Sequence, residues 1–425
     1  MSIMNRRDFA KSLAVTGGAL SAGTLSALEA APTDMFTGSV PSDAKTSDKG
    51  LLHLTKSILK QNLLKAGEFC VVATGYIYPA DYVAAMIQSG QELGALMVHV
   101  PVFPNEGKDG RLTPGLTMDH WHLYATADLL VDVSFNKPGG VPGGTSGYGG
   151  KIGDHDYPTD RAIIHRVGSK TRWLGIHFDV PLQRTLFANQ ARRARSIYGA
   201  ELLHNASEVR IESDAGSDIW FGKKGKQGHS QYGIADVPGR WDMICTAVVA
   251  TASNKDEAEG VLVFEPGDVL LQMTPQVLPQ GEEIKITFRG GEIVNVEGTR
   301  AARFWDELLS SYGHPDSKRV AHVGFGTHEK TRHLRLEGER TPRAVYAYHH
   351  NDSGSFLFAL GNNCGHGGGG RELNYSGLGM NADACGPNHT HFSFHAPGRR
   401  MWFDDKLVVD DGELVDEIAS LTTWP

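Results

Sequence analysis

Seven residues near the C-terminus concentrate the chain's potential for chemistry: His389-Thr390-His391-Phe392-Ser393-Phe394-His395. In a strand, side chains alternate with period two. His389, His391, Ser393 and His395 then share one face, and Phe392 and Phe394 share the other. Neutral imidazole is a good ligand for divalent transition metals. Imidazoles on one face, backed by aromatics that enter a core, are how a sheet presents metal ligands. The competing reading is a polar face whose histidines bond neighbours or water. Three histidines on one face, beside the glycine-rich stretch from Gly365 to Gly370, favour the metal. Which of His389, His391, Ser393 and His395 are ligands stays open at this stage.

A further ligand must come from another element. His322 lies in Val320-Ala321-His322-Val323-Gly324-Phe325-Gly326, a strand running into a turn, which would hold it rigidly. His328, His333, His349, His350 and His366 are further candidates. His349 and His350 are adjacent, so at most one of them faces a given site in an extended chain.

The elements that must position these residues fall into two textures. From Leu51 to Val133 helical and strand patterns alternate. Leu51–Leu64 and Ala80–Glu92 read as helices, and Glu68–Thr74, Ala95–Val102 and Ala127–Val133 as apolar strands. This alternation implies a parallel sheet with crossover helices. A long helix is expected over Arg184–Asn205, with Arg192-Arg193-Ala194-Arg195 on a solvated face. Pro138–Gly153 reads as a long glycine-rich loop, and no GxGxxG stands between strand and helix, so no dinucleotide site is assigned. After Ser207 short alternating runs dominate. Glu283–Phe288 and Glu292–Val296 flank Gly290-Gly291 as a hairpin, and Thr299 caps a helix over Arg300–Ser311. Strands are also expected at Val320–Gly324, Ala344–His349, Ser355–Leu360 and His389–Phe394. The expected fold is an α/β N-terminal domain with a mostly parallel sheet, followed by a strand-rich α+β metal-binding domain. The boundaries are 50–206 and 207–425.

Composition narrows the function classes. The 425 residues carry a net charge of −8, with 41 Lys and Arg against 49 Asp and Glu. A nucleic-acid or anionic-membrane binder needs a basic surface, which this balance does not supply. No uncharged apolar run of about 18 residues is present, which excludes a multi-span membrane protein. Cys70, Cys245, Cys364 and Cys385 form no CxxC pair and read as buried free thiols, a Cys364–Cys385 bridge being the alternative. At the N-terminus, Asn5-Arg6-Arg7-Asp8-Phe9-Ala10-Lys11 and the mildly apolar stretch after it read as a twin-arginine export signal over residues 1–31. A polar linker follows over 32–49. The location is periplasmic if the signal is used and cytoplasmic otherwise.

The order of motifs in the second half carries a resemblance. Asn254–Val263, Ile286–Val294, Ala321–Gly326, Gly354–Gly361 and Thr390–Phe394 follow one another as they do in the aminopeptidase T family of metallopeptidases, which includes 2,5-dihydroxypyridine 5,6-dioxygenase as a relative. The resemblance covers most of residues 240–415. It implies a metal site whose peptidase pattern is altered here. Val248 stands at the bridging glutamate position and Leu357 at the histidine of the Ala-Leu-Gly strand. His322 replaces a glutamate, as in the dioxygenase. The His-x-Asp pair becomes His391-Phe392-Ser393, or His389-Thr390-His391 in a shifted register. Two metals are thereby reduced to one, which argues against peptide hydrolysis.

Those departures resemble the 5-nitroanthranilic acid aminohydrolase branch of the family. That resemblance implies hydrolytic deamination of a nitro-substituted aminobenzoate, 5-nitroanthranilate giving 5-nitrosalicylate and ammonia. It implies one labile divalent metal (manganese, with iron or zinc as alternatives), held by His322, His389 and His391. It also implies a homo-oligomer and a small aromatic substrate, with Arg289 at the hairpin tip clamping a carboxylate or nitro group. An iron ring-cleavage dioxygenase is the alternative enzyme. An exported ligand- or metal-binding protein is the alternative without chemistry.

Overall fold

The computed structural model describes residues 49–75, 78–102, 104–106, 112–114, 118–133, 150–152, 155–157, 170–176, 180–270, 276–331, 352–362, 385–394 and 398–423. The expected signal, the expected linker up to residue 48, the Ala344–His349 strand, and His333, His349, His350, His366 and His395 lie outside these residues.

The first half builds a parallel sheet. Phe69–Gly75 pairs with Leu96–Val102 on one side and with Leu129–Val133 on the other, and Arg172–Ile176 extends it. These strands are mostly apolar, as strands covered on both faces tend to be, with Thr74, His99, Asp132 and Arg172 as buried polar exceptions. Cys70, Val72, Leu129, Val131, Leu174 and Ile176 pack on one face with the helices Lys49–Gln61 and Ala80–Glu92. Val71, Ala73, Leu130 and Trp173 pack on the other with Tyr124 and Trp241. Cys70 and Cys245 are buried free thiols.

The sheet is completed from beyond the expected domain boundary. Trp241–Met243 returns to pair in parallel with Arg172–Ile176. A buried ion pair stands at this crossing. Arg240 donates to Asp242 at 2.5 Å and lies over the Tyr232 ring at 3.8 Å. The Asp242 carboxylate also accepts from the Tyr232, Gly233 and Met243 amides and from the Thr246 hydroxyl.

The expected long helix is two. Val180–Thr185 ends, and Gln190–Asn205 begins afresh at Asn189, whose side chain accepts from the Arg192 amide at 2.8 Å. The expected solvated basic face is corrected too. Arg192 is fully buried, donates to the Leu186 carbonyl and faces Glu329 at 3.6 Å. A carbonyl and a carboxylate reached from inside the fold outweigh the solvation a basic run ordinarily keeps.

The second half is two sheets packed face to face. Eight strands form one, with Ala258–Phe264, Ile284–Arg289 and Glu292–Gly298 toward one edge. Seven form the other, in the spatial order Gly228–Gln231, Val248–Ala252, Val320–Gly326, Phe356–Asn362, Cys385–Phe394, Val269–Leu270, Gln276–Val277. They share one aromatic core, with Phe264 stacked on Phe394 at 4.1 Å and Phe288 edge-on to Phe358 at 5.7 Å. The Gly290-Gly291 turn takes the left-handed φ values, 56° and 75°, that its hairpin requires. The Arg300–Ser311 helix follows Thr299 as expected, but the Ala301 amide donates to Glu282 rather than to the Thr299 hydroxyl. Among the described residues no helix is long and apolar enough to cross a membrane.

Candidate metal centre

The seven-stranded sheet has a core face and an outer face, and its sequence sorts the two. Val249, Val323, Phe325, Phe356, Phe358, Phe392 and Phe394 enter the shared core. Their neighbours therefore occupy the opposite face. That face carries Val248, Ala250 and Ala252, then His322 and Gly324, then Leu357 and Ala359.

His322 is fully buried there. Strand pairing places Ala252 opposite His322, His322 opposite Ala359, and Ala359 opposite His391. His322 and His391 thus stand on one row, separated by a single alanine. His389 is one step along, opposite Gly361. Ser393 is one step the other way, opposite Leu357. The side chains of His389, His391 and Ser393 lie outside the described residues.

Two local devices shape the row. The pairing of Val320–Gly326 with Phe356–Asn362 shifts between Val320 and His322, so two residues stand where the partner has one. Such a bulge re-aims the side chain it carries. Next to it, Gly324 permits a close approach of strands. A Cβ there would lie 2.0 Å from the Val249 carbonyl oxygen and 2.8 Å from the Ala250 Cα.

Beside the histidine row the face is apolar. Val248, Ala250 and Leu357 form a buried cluster of their own. Val248 and Leu357 occupy the positions where the peptidase resemblance expects a glutamate and a histidine. Isopropyl and isobutyl groups stand there instead, so these two positions offer no metal ligands.

The other candidates are placed elsewhere. His328 is fully buried at an isolated bridge to Asp352, and its Nδ1 accepts from the Lys330 amide at 3.2 Å. Burial, with Arg192 adding to it, holds its imidazole well below the usual range. Arg289 is exposed at the end of Ile284–Arg289, paired with Glu292 in the eight-stranded sheet. No described contact brings it to the His322 face. His229 was not singled out from the sequence. It pairs with Ala250, which puts it on the face of His322.

The strands that carry this row fall within a family match. The model described as NicX, 2,5-dihydroxypyridine 5,6-dioxygenase, matches residues 164–416. The chain belongs to this family. The 2,5-dihydroxypyridine 5,6-dioxygenase of Pseudomonas putida KT2440 is 30% identical over 231 residues, which cover 52% of this chain and 58% of that protein. The match therefore spans less than two thirds of that relative. Two solved structures share the fold. The 2,5-dihydroxypyridine dioxygenase structure from P. putida KT2440 superposes with a TM-score of 0.68 at 20% identity, covering 87% of this chain and 98% of that one. Wild-type AmpT from Thermus thermophilus gives 0.54 at 15% identity, covering 87% and 99%.

Membership of the NicX family corrects the expected reaction. Hydrolytic deamination, and with it the hydrolase and aminohydrolase class, does not stand, because the matched family and the curated relative are dioxygenases. Imidazole in place of glutamate at His322 is the feature the resemblance shares with the dioxygenase, and it does not single out a deaminase. Membership implies a bound metal, and the residues fit one. A fully buried imidazole on a bulge faces a second histidine position across one alanine. Among the described side chains alone, no three His, Cys, Asp or Glu gather as a ligand set.

Proposed function

We propose that this chain is a metal-dependent dioxygenase that opens the ring of 2,5-dihydroxypyridine or a close hydroxylated analogue. The observation that carries the reading is that the family match covers the strands bearing His322 and His391 on one register row. The proposed metal is ferrous iron, in place of the manganese that the aminohydrolase resemblance implied. His322 and His391 are its proposed ligands, with His389 as the next position along the row. Ferrous iron held there would relay electrons from the electron-rich ring to dioxygen, the ring being the net reductant. The chain's own residues do the rest. Val248, Ala250 and Leu357 offer a dry floor for the flat face of the ring. Ala359 keeps the space between the two histidine positions open.

The test uses the full chain loaded anaerobically with iron(II). Mixed with 2,5-dihydroxypyridine and oxygen, it is expected to consume one dioxygen per ring opened. The product should gain the mass of both oxygen atoms when 18O2 is supplied. Ring loss without oxygen uptake, or no turnover with iron, manganese or zinc, sinks the reading.

A further inference from the structure

His229 is a buried imidazole that nothing so far employs. It lies on Gly228–Gln231, the edge strand of the seven-stranded sheet, and is 4% exposed. Its Nδ1 is buried and meets no hydrogen-bond partner among the described residues. Burial, with positive charge at His204, Arg240 and Lys223, pushes its imidazole down to about 3. Burial favours the neutral ring, which carries one donor and one acceptor nitrogen. Burying such a group unpaired costs free energy, so an unpaired one calls for an explanation.

Strand register gives the direction. Gly228 and Ser230 pair with Thr251 and Val249, and Val249 lies in the shared core. His229 pairs with Ala250, whose row continues through Gly324 to Leu357. It therefore emerges on the outer face, beside the Val248–Ala250–Leu357 floor. With strands ~4.8 Å apart and ~6.8 Å per two residues, the Cα atoms of His229 and His322 stand roughly 12 Å apart on a regular sheet. One aromatic ring fits between two imidazoles at that separation. The floor lies on one side of the metal row, and His229 lies at the floor's far edge.

We propose that His229 binds the substrate, its Nδ1 accepting a hydrogen bond from a ring hydroxyl of the aromatic that lies on this floor. The inference rests on the ring-cleavage reading and deepens it. It assigns the polar end of the substrate to the edge strand and the reacting end to the metal row. The substrate class that fits is a single ring with a hydroxyl remote from the metal-bound edge.

The experiment titrates iron-loaded wild type, His229→Phe and His229→Asn anaerobically with 2,5-dihydroxypyridine, and measures iron content and thermal midpoint of each. Asn places an amide oxygen close to where Nδ1 stands, whereas Phe fills the space without an acceptor. The expected result is unchanged iron content in both. His229→Phe should bind the ligand at least tenfold more weakly, with partial recovery in His229→Asn. The Phe variant should melt no earlier than wild type, because it removes an unpaired buried acceptor. Equal ligand affinity in wild type and His229→Phe overturns the role of His229 alone. An earlier melt with affinity retained marks a structural histidine and overturns it as well. Iron-loaded wild type that binds no 2,5-dihydroxypyridine overturns the ring-cleavage reading together with this one.

Discussion

At the scale of single residues the decisive feature is that His322 is wholly buried, on a bulge, one alanine from the His391 row position. His322→Ala is expected to abolish iron loading and ring cleavage together while leaving the fold intact, since alanine already flanks the position. His391→Ala should lower iron content more than His389→Ala, because His391 is directly on the row of His322. Iron analysis of the purified variants decides this, and equal losses would mean that both serve as ligands. The alternation of His389-x-His391 with Phe392-x-Phe394 was legible in the sequence because period two sorts polar from apolar. His229 was not legible. It sits in Gly-His-Ser-Gln, where no apolar alternation announces a strand. Arg289 shows the opposite failing: a hairpin tip says where the backbone turns and nothing about which sheet face its side chain joins.

At the scale of elements, close strand approach and a helix restart set the geometry. Gly324→Ala would drive a methyl into the Val249 carbonyl. It should cost about 1–3 kcal/mol in urea unfolding, as overpacking generally does, and should weaken iron binding by spreading the strands beside His322. A variant as stable as wild type would contradict this. The restart at Asn189 was hidden because no glycine or proline stands between Arg184 and Gln190, where the break falls. The break is made by one side-chain cap and by the burial of Arg192 against Glu329. That pairing also gives a pH dependence. Burial raises the Glu329 carboxyl, but Arg192 and His328 oppose it and the Asn189 amide bonds it, bringing it down from the ordinary 4.5 to about 2. Its contribution to stability is present above pH 4.5 and is lost as pH falls toward 2. Glu329→Gln should therefore flatten the fall in thermal midpoint between pH 4.5 and 2. An unchanged acid slope would show that the carboxylate contributes nothing there. The apolar strands and the two well-marked helices were legible because each is a single unmixed pattern. Arg172–Ile176 was missed because Arg and Gly interrupt so short a run.

At the scale of the whole molecule, the parallel sheet and the sheet that carries His322 are joined by a stretch of chain that belongs to both. Trp241–Met243 completes the first sheet, and five residues later Val248 starts the floor of the site. Between them Cys245 takes a left-handed φ of 68°, a conformation that a non-glycine residue holds only under constraint. Asp242 supplies that constraint. It accepts from the amides on one side of the crossing and from Thr246 on the other, while Arg240 neutralises it. Removing one member of a buried pair leaves the other charge uncompensated, at about 3–5 kcal/mol. Asp242→Ala is therefore expected to lose that much stability in urea unfolding. Asp242→Asn keeps the size but not the charge, and should lie in between. If the crossing only holds the two halves together, the surviving Asn variant will bind iron and 2,5-dihydroxypyridine as wild type does. If it also sets the height of the floor, iron binding will persist while ligand affinity falls, because His322 and His391 lie on strands that Asp242 does not touch. The second outcome is the expected one, since the release of Thr246 acts on Val248 two residues away and on neither histidine strand directly.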